Sequence, residues 1–172
     1  MSEGKTRGEI AAGWWREALA DRESSAARGL AARLRRSGDI AVLAEPAVQD
    51  LARRLGSGPA EAGRLVRLVR ILAELRADDG APLARRVGGV EPILSTLRFQ
   101  RLLRARDEEF VTALRRAVVL ADRRANVARL ASDILLWDHP EWGDQVRARW
   151  CFEFFDVSSQ GTEPQSSAEV YS

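Results

Sequence analysis

Arginine is the residue type whose chemistry stands out in this sequence, because a planar guanidinium ion binds phosphate through two parallel hydrogen bonds. The segment RFQRLLRARDEEFVTALRRAVVLA, residues 98–121, carries six arginines within the apolar spacing of packed helices. Arg98 and Arg101, three residues apart, share one side of a first helix, and Arg115 and Arg116 face outward from a second. Such arginines form either an ordinary solvated surface or a site that holds a polyanion.

Three acidic residues, at positions 107–109, separate these two predicted helices. Asp107 is a natural N-cap for the second helix. The negative charges of the two glutamates after it are stabilised by the positive end of the helix dipole. We expect these acids to pair with Arg104 and Arg106, which leaves the other arginines of the segment without a local counter-ion.

A second group of arginines lies in SSAARGLAARLRRSG, residues 24–38, a segment without aspartate or glutamate. When its residues are placed at steps of about 100°, the leucines share one face, and Arg28, Arg35 and Arg36 lie on the other. The helix dipole favours cations in the last turn. Even so, neighbouring arginines without acids repel one another, so we favour a patch that faces phosphate.

The helix predicted over 64–76 carries a different charge pattern. Its leucines form one broad apolar face, with Arg67 and Arg70 on the opposite side and Glu74 between them. Arg70 and Glu74 are four residues apart, the spacing at which opposite charges pair on a helix. We therefore expect a core helix whose outer face is neutralised.

The overall charge is +2, yet it is unevenly distributed, and 26 of the 27 basic residues are arginine. Residues 1–130 hold 25 basic and 17 acidic residues, whereas residues 131–172 hold 2 basic and 8 acidic ones. A basic body is typical of proteins that bind polyanions. Codon bias in a GC-rich genome gives the same richness in arginine, so a helical adaptor without nucleic-acid affinity stays open as an alternative.

Base-reading side chains are few, because Asn126 is the one asparagine and only three glutamines precede residue 156. Asparagine and glutamine are the usual readers of adenine. The pattern therefore favours binding to the nucleic-acid backbone, which is independent of sequence and strongly dependent on salt.

Catalytic side chains are also few: the chain has one histidine, one cysteine, one lysine and one tyrosine. His139, in the turn WDHPEW, would have to serve in any catalytic triad, and one histidine with one cysteine cannot build a zinc site. We predict no enzyme, metal or cofactor.

The tryptophans are expected mostly in the core. The sequence shows no signal core and no apolar run of about 18 residues, so a cytoplasmic protein without membrane contact is expected.

The periodicity is helical nearly throughout, which predicts an all-α fold: a single helical bundle over residues 8–155 with roughly seven to nine helices. Ser24 or Ser25 is predicted to cap the second helix and Gly38 to end it, and Pro46 and Gly56 mark the start and end of the third. Prolines and glycines over 78–92 predict a loop with at most a short helix, which would divide the bundle into two packed halves. Residues 156–172 are predicted to be a disordered acidic tail.

Six segments, taken in order and with their spacing, resemble the CasB family, the small subunit of the type I-E CRISPR surveillance complex Cascade. The resemblance covers residues 14–155. The segments are WWREAL (14–19), RGLAARLRR (28–36), RFQRLL (98–103), FVTALRRAV (110–118), NVARLASDILLW (126–137) and VRARWCFEF (146–154).

This resemblance implies an all-helical, non-enzymatic subunit that occurs as two copies beside the other Cascade subunits and their guide RNA. Its basic surface would hold the unwound target DNA, including the displaced strand. The matching motifs carry six site arginines, and outward, uncompensated charge adds three more. The first set is Arg35, Arg36, Arg98, Arg101, Arg115 and Arg116, and the second is Arg28, Arg123 and Arg124.

A helix-turn-helix regulator is the remaining alternative. It needs polar base readers at the start of its second helix, whereas the junction RARDEEF, residues 104–110, places acids there.

Overall fold

Ten α-helices make up almost all of the regular structure in residues 4–156, the part of the chain that this computed structural model describes. They are α1 (Arg7–Ala18), α2 (Ser25–Arg36), α3 (Asp39–Leu43), α4 (Pro46–Leu55), α5 (Ala62–Leu72), α6 (Leu83–Val87), α7 (Thr96–Arg104), α8 (Asp107–Leu120), α9 (Val127–Leu136) and α10 (Gly143–Phe154). A 3₁₀ turn covers Pro59–Glu61. The predicted all-α class is confirmed, and the short helix α3 is an element that the sequence pattern did not predict.

Two very short strands, β1 (Ala77–Asp78) and β2 (Arg124–Ala125), pair in parallel, with Ala77 opposite Arg124. They join the segment after α5 to the turn after α8. In the described residues the predicted break at 78–92 contains only α6 as a helix. The tail predicted over 156–172 lies outside the described residues apart from Asp156.

Local capping explains several helix boundaries. The Ser24 hydroxyl accepts a hydrogen bond from the backbone N–H of Ala27, Pro46 opens α4, and Gly56 ends α4 in the left-handed conformation, at φ +67°. Two predicted boundaries are wrong. Ser37, not Gly38, ends α2, and Asp107 is the first residue of α8 rather than its N-cap, a position that Arg106 occupies without a capping side chain.

Helix α5 is buried on more than one side, because α2, α3, α8 and α9 all pack against it. The arginines of its outer face are neutralised, as expected, but the expected pairing of Arg70 with Glu74 is wrong. Arg67 is buried, donates to the Asp138 carboxylate at 2.6 Å and lies over the Phe110 ring. Arg70 pairs with Asp39 at 2.7 Å instead of with Glu74.

The hydrophobic core is one cluster that runs from Ala11 to Phe154 and draws residues from both sides of 78–92. Four tryptophans are buried in it, as expected, and Trp142 is half exposed. The indole of Trp15 donates to the carbonyl of Leu72 at 3.1 Å, which satisfies its buried N–H. No helix in the described part of the chain is both long and apolar enough to cross a membrane.

Candidate nucleic-acid interface

Two open grooves along α8 contain most of the predicted site arginines. The α7 groove, between α7 and α8, is lined by Arg98, Arg101, Arg104 and Arg116, and also by Glu108 and Glu109. The α2 groove, between α2 and the end of α8, is lined by Arg35, Arg36, Arg115, Arg116 and Arg123, with Glu74 at its wall.

Arg116 lines both grooves, so the two grooves form one surface from α2 across α8 to α7. We call the eight arginines that line it the basic band. Segments 60 or more residues apart in the sequence contribute to it, so their proximity is a property of the tertiary structure. Six of the nine predicted site arginines come from the family motifs, and all six lie in the band.

Five of these six arginines have no counter-ion in the part of the chain that the structure describes. Within residues 4–156 their side chains make no hydrogen bond, ion pair or ring contact. The five are Arg35, Arg36, Arg98, Arg101 and Arg116. Unpaired guanidinium groups on one surface repel one another, and an anion that neutralises them is bound favourably.

Arg115 and Arg123 differ, since both hold the buried carboxylate of Glu74. The Nε and Nη2 atoms of Arg115 donate to Glu74 Oε1 at 3.1 Å and 2.8 Å, and Arg123 Nη1 donates to Oε2. Burial alone would raise the pKa of Glu74, but the hydrogen bonds from Arg123 and Arg115 outweigh burial and lower it. Glu74 is therefore ionised at neutral pH.

Arg28 and Arg124 do not line either groove. Arg28 Nη1 donates to the carbonyls of Arg22 and Glu23, both at 2.8 Å, and Arg124 Nε lies 3.8 Å from the Asp79 carboxylate. The expectation of uncompensated charge is therefore wrong for Arg124 and for Arg123, which lie beside carboxylates, whereas Arg28 has no acidic partner within residues 4–156. Any role of these three in binding stays a prediction.

Sequence reasoning overlooked Arg22 and Arg76. Both lie close enough to the arginines of the α2 groove for their positive charges to interact. Burial lowers the pKa of Arg22 to about 10, and the positive charges of Arg76, Arg35 and Arg123 add to the effect. Arg22 remains charged at neutral pH, and it donates to the backbone carbonyls on either side of Glu74. Arg22 is the last residue of the first predicted helix, 8–22, whereas α1 ends at Ala18, so helical periodicity does not give the direction of its side chain.

The expected pairing of Arg104 and Arg106 with residues 107–109 is wrong. Arg104 Nε donates to the carbonyl of Gln100 at 3.3 Å, and Arg106 lies 3.7 Å from Asp138. Arg104 thus adds its charge to the α7 groove. Glu108 and Glu109 line the same groove as Arg104, but within residues 4–156 they form no ion pair with it.

His139 has a structural role in the turn before α10. Its Nδ1 atom accepts hydrogen bonds from the backbone N–H groups of Glu141 and Trp142, at 3.1 Å and 3.2 Å. In the described residues no group of three or more histidine, cysteine or acidic side chains is placed to hold a metal ion.

The fold and the basic band define an all-α protein with an extended polycationic surface. Residues 24–155 match the sequence profile of the family described as CRISPR-associated protein Cse2. The chain therefore belongs to this CRISPR-associated family, and the family predicted from the six segments is confirmed.

One curated relative is CRISPR-associated protein Cse2 of Thermus thermophilus, which is 35% identical over 73 residues. The aligned region covers 42% of this chain and 42% of that protein, so the match spans less than half of either chain. No solved structure matches this chain.

Proposed function

We propose that this protein is a non-catalytic subunit of a type I-E Cascade complex in antiviral defence, and that its basic band binds the backbone of the unwound target DNA, including the displaced strand. The observation that carries the proposal is the convergence of five unpaired arginines from α2, α7 and α8 on one surface. Membership of the Cse2 family supports the assignment to a CRISPR complex.

The chemistry of the band suits phosphate rather than bases. Its ionic groups are guanidiniums, which bind phosphate oxygens bidentately and without regard to sequence. In such a complex the guide RNA reads the target by base pairing, so a subunit that holds the opened strands has no need of base readers. The other partners in this proposal are the remaining Cascade subunits with their guide RNA and a second copy of the chain, all in the cytoplasm.

The two alternatives are less well supported. A regulator that inserts α8 into DNA would bring the exposed acids at 107–109 towards phosphates, which is unfavourable. A helical adaptor whose arginines reflect only codon bias gives no reason for unpaired arginines to line two adjoining grooves.

Titration of labelled single-stranded and duplex DNA of several sequences, followed by fluorescence anisotropy at increasing salt, tests the proposal. We expect similar affinity for every sequence. For single strands we expect a slope of log K against log salt of about −3.5 or steeper, because five unpaired arginines would each neutralise one phosphate. No binding at low salt would refute nucleic-acid binding, and one strongly preferred duplex sequence would favour the regulator.

Removing the acids of the α7 groove should strengthen binding. Replacing Glu108 and Glu109 by glutamine removes two negative charges that face the bound phosphates, and we expect about two- to fivefold tighter binding at low salt, since each such charge several ångströms away contributes roughly 0.5 kcal/mol in water. The control variant E141Q/D144N makes the same charge change in the turn before α10 and in its first turn, away from both grooves, and D144N also removes the ion pair of Asp144 with Arg147. Anisotropy should show no gain for it. Equal gains in both variants would mean that net charge alone controls affinity.

A further inference from the structure

Among residues 4–156, Glu74 is the one acidic residue that lines the α2 groove. Its carboxylate is buried, while the side chains of Arg115 and Arg123, which hold it, remain 37% and 32% exposed. A negative charge beside a phosphate site weakens binding by simple electrostatics, so its presence among the arginines needs a physical explanation.

The backbone around Glu74 is fixed from several directions. Arg22 Nη2 donates to the carbonyls of Ala73 and Leu75, at 2.8 Å and 3.1 Å. The backbone N–H of Arg76 donates to the carbonyl of Arg123 at 2.8 Å. The carboxylate therefore has a fixed place at the end of α5, and the arginines that bind it are fixed with it.

Arg123 reaches Glu74 from an unusual backbone conformation. Asp122 and Arg123 have φ values of +60° and +58°, in the left-handed region where residues other than glycine are uncommon. The backbone N–H of Arg123 donates to Val118, and its carbonyl accepts from Arg76 and Ala77. The turn after α8 is thus held in the shape that delivers the Arg123 side chain to Glu74.

Each guanidinium keeps donors beyond those that Glu74 uses. A guanidinium has five N–H donors. Arg115 uses Nε and Nη2 on Glu74, which leaves Nη1, and Arg123 uses Nη1, which leaves Nε and Nη2. These remaining nitrogens make no hydrogen bond within residues 4–156.

We propose that Glu74 is a positioning residue: it holds Arg115 and Arg123 side by side so that their remaining donors together bind one phosphate group of the nucleic-acid backbone. This inference rests on the proposed function, because it assumes that the α2 groove binds nucleic acid. Glu74 then strengthens binding in spite of its charge, since two ordered guanidiniums lose less conformational freedom on binding than two free ones.

The variant E74Q separates positioning from electrostatics by the direction of its effect. Removal of a negative charge alone would tighten binding of single-stranded DNA. We expect binding about three- to tenfold weaker, and a salt slope shallower by about 0.7, the value for one phosphate on a single strand. Anisotropy titrations of wild type and variant give both quantities, and thermal melts establish that the variant is folded at the assay temperature.

Two further variants complete the test. In R115A/R123A the carboxylate has no guanidinium to position, so adding E74Q should tighten binding there, opposite to its effect in the wild type. E74D keeps the charge but withdraws the carboxylate by one methylene, so it should weaken binding, and it decides the question if E74Q does not fold. Tighter binding by E74Q together with unchanged binding by E74D would overturn the inference but leave the proposed function intact. A wild-type protein that binds no nucleic acid would overturn the proposed function itself.

Discussion

Replacing Arg36 and Arg116 by glutamate is expected to lower the affinity for single-stranded DNA by about 10- to 100-fold at low salt, because each hydrogen bond to a charged group is worth about 1.5–3 kcal/mol before the cost of ordering the side chain. Both side chains are exposed, and neither has a partner in the described residues. Arg116 lines both grooves, so its reversal interrupts the band where they meet. Anisotropy titration at several salt concentrations measures the loss and the change in slope.

The fold should tolerate this variant. No ion pair within residues 4–156 is broken, and glutamate in the last turn of α2 costs only about 0.5 kcal/mol through the helix dipole. The control is R16E/R53E, which makes the same charge change on α1 and α4, at side chains that are 58% and 72% exposed and outside both grooves. It also removes two long surface ion pairs, to Asp78 at 3.5 Å and to Asp50 at 3.6 Å, so thermal melts must show that it is folded. A loss of affinity as large in the control would assign binding to net charge and contradict the role of the band.

Replacing Gly8 by alanine is expected to cost about 3 kcal/mol of unfolding free energy or more, at the upper end of what overpacking causes. Helix α1 packs closely along α9, and a Cβ atom on Gly8 would lie 2.2 Å from the carbonyl oxygen of Ala128 and 3.0 Å from the Ser132 side chain. A backbone carbonyl within a helix cannot move aside as the end of a flexible side chain can, so the two helices would have to separate.

Gly13, in the same helix, gives the matched control. Its added Cβ would have only the end of the Arg16 side chain nearby, at 4.0 Å. The variant G13A should therefore stabilise the protein by up to about 1 kcal/mol, the difference in helix propensity between alanine and glycine. Denaturant unfolding followed by circular dichroism compares the two. If G8A were as stable as the wild type, the close packing of α1 on α9 would be refuted.

Much of the fold is determined locally, and for that reason it was predictable. The caps at Ser24, Pro46 and Gly56 depend on hydrogen bonds and dihedral angles within a few residues. Helix α3, with five residues, has too few positions to show a periodic pattern. The cap expected at Asp107 was wrong because local preference alone does not fix a helix start where two helices meet closely.

The candidate site was predictable to the extent that the arginine-bearing faces of α2, α7 and α8 are visible in the sequence. The direction of each face follows from the helical repeat, and the arginines of the family motifs proved to share one surface. Arg22 and Arg76 were overlooked, because α1 and α5 end at Ala18 and Leu72, before these residues, whereas the predicted helices included them. Their place in the charge cluster depends on distant segments.

The sequence alone determined that the chain is helical, basic over most of its length and a member of a recognisable family, because periodicity, composition and ordered motifs are properties of the linear chain. Only the tertiary structure decided which arginines within residues 4–156 have an acidic partner and which have none. Glu74 pairs with Arg115, 41 residues away, and Arg67 with Asp138, 71 residues away. Pairs of this kind form where the packing of helices brings remote side chains within a few ångströms, and helical periodicity carries no information about which distant segments will meet.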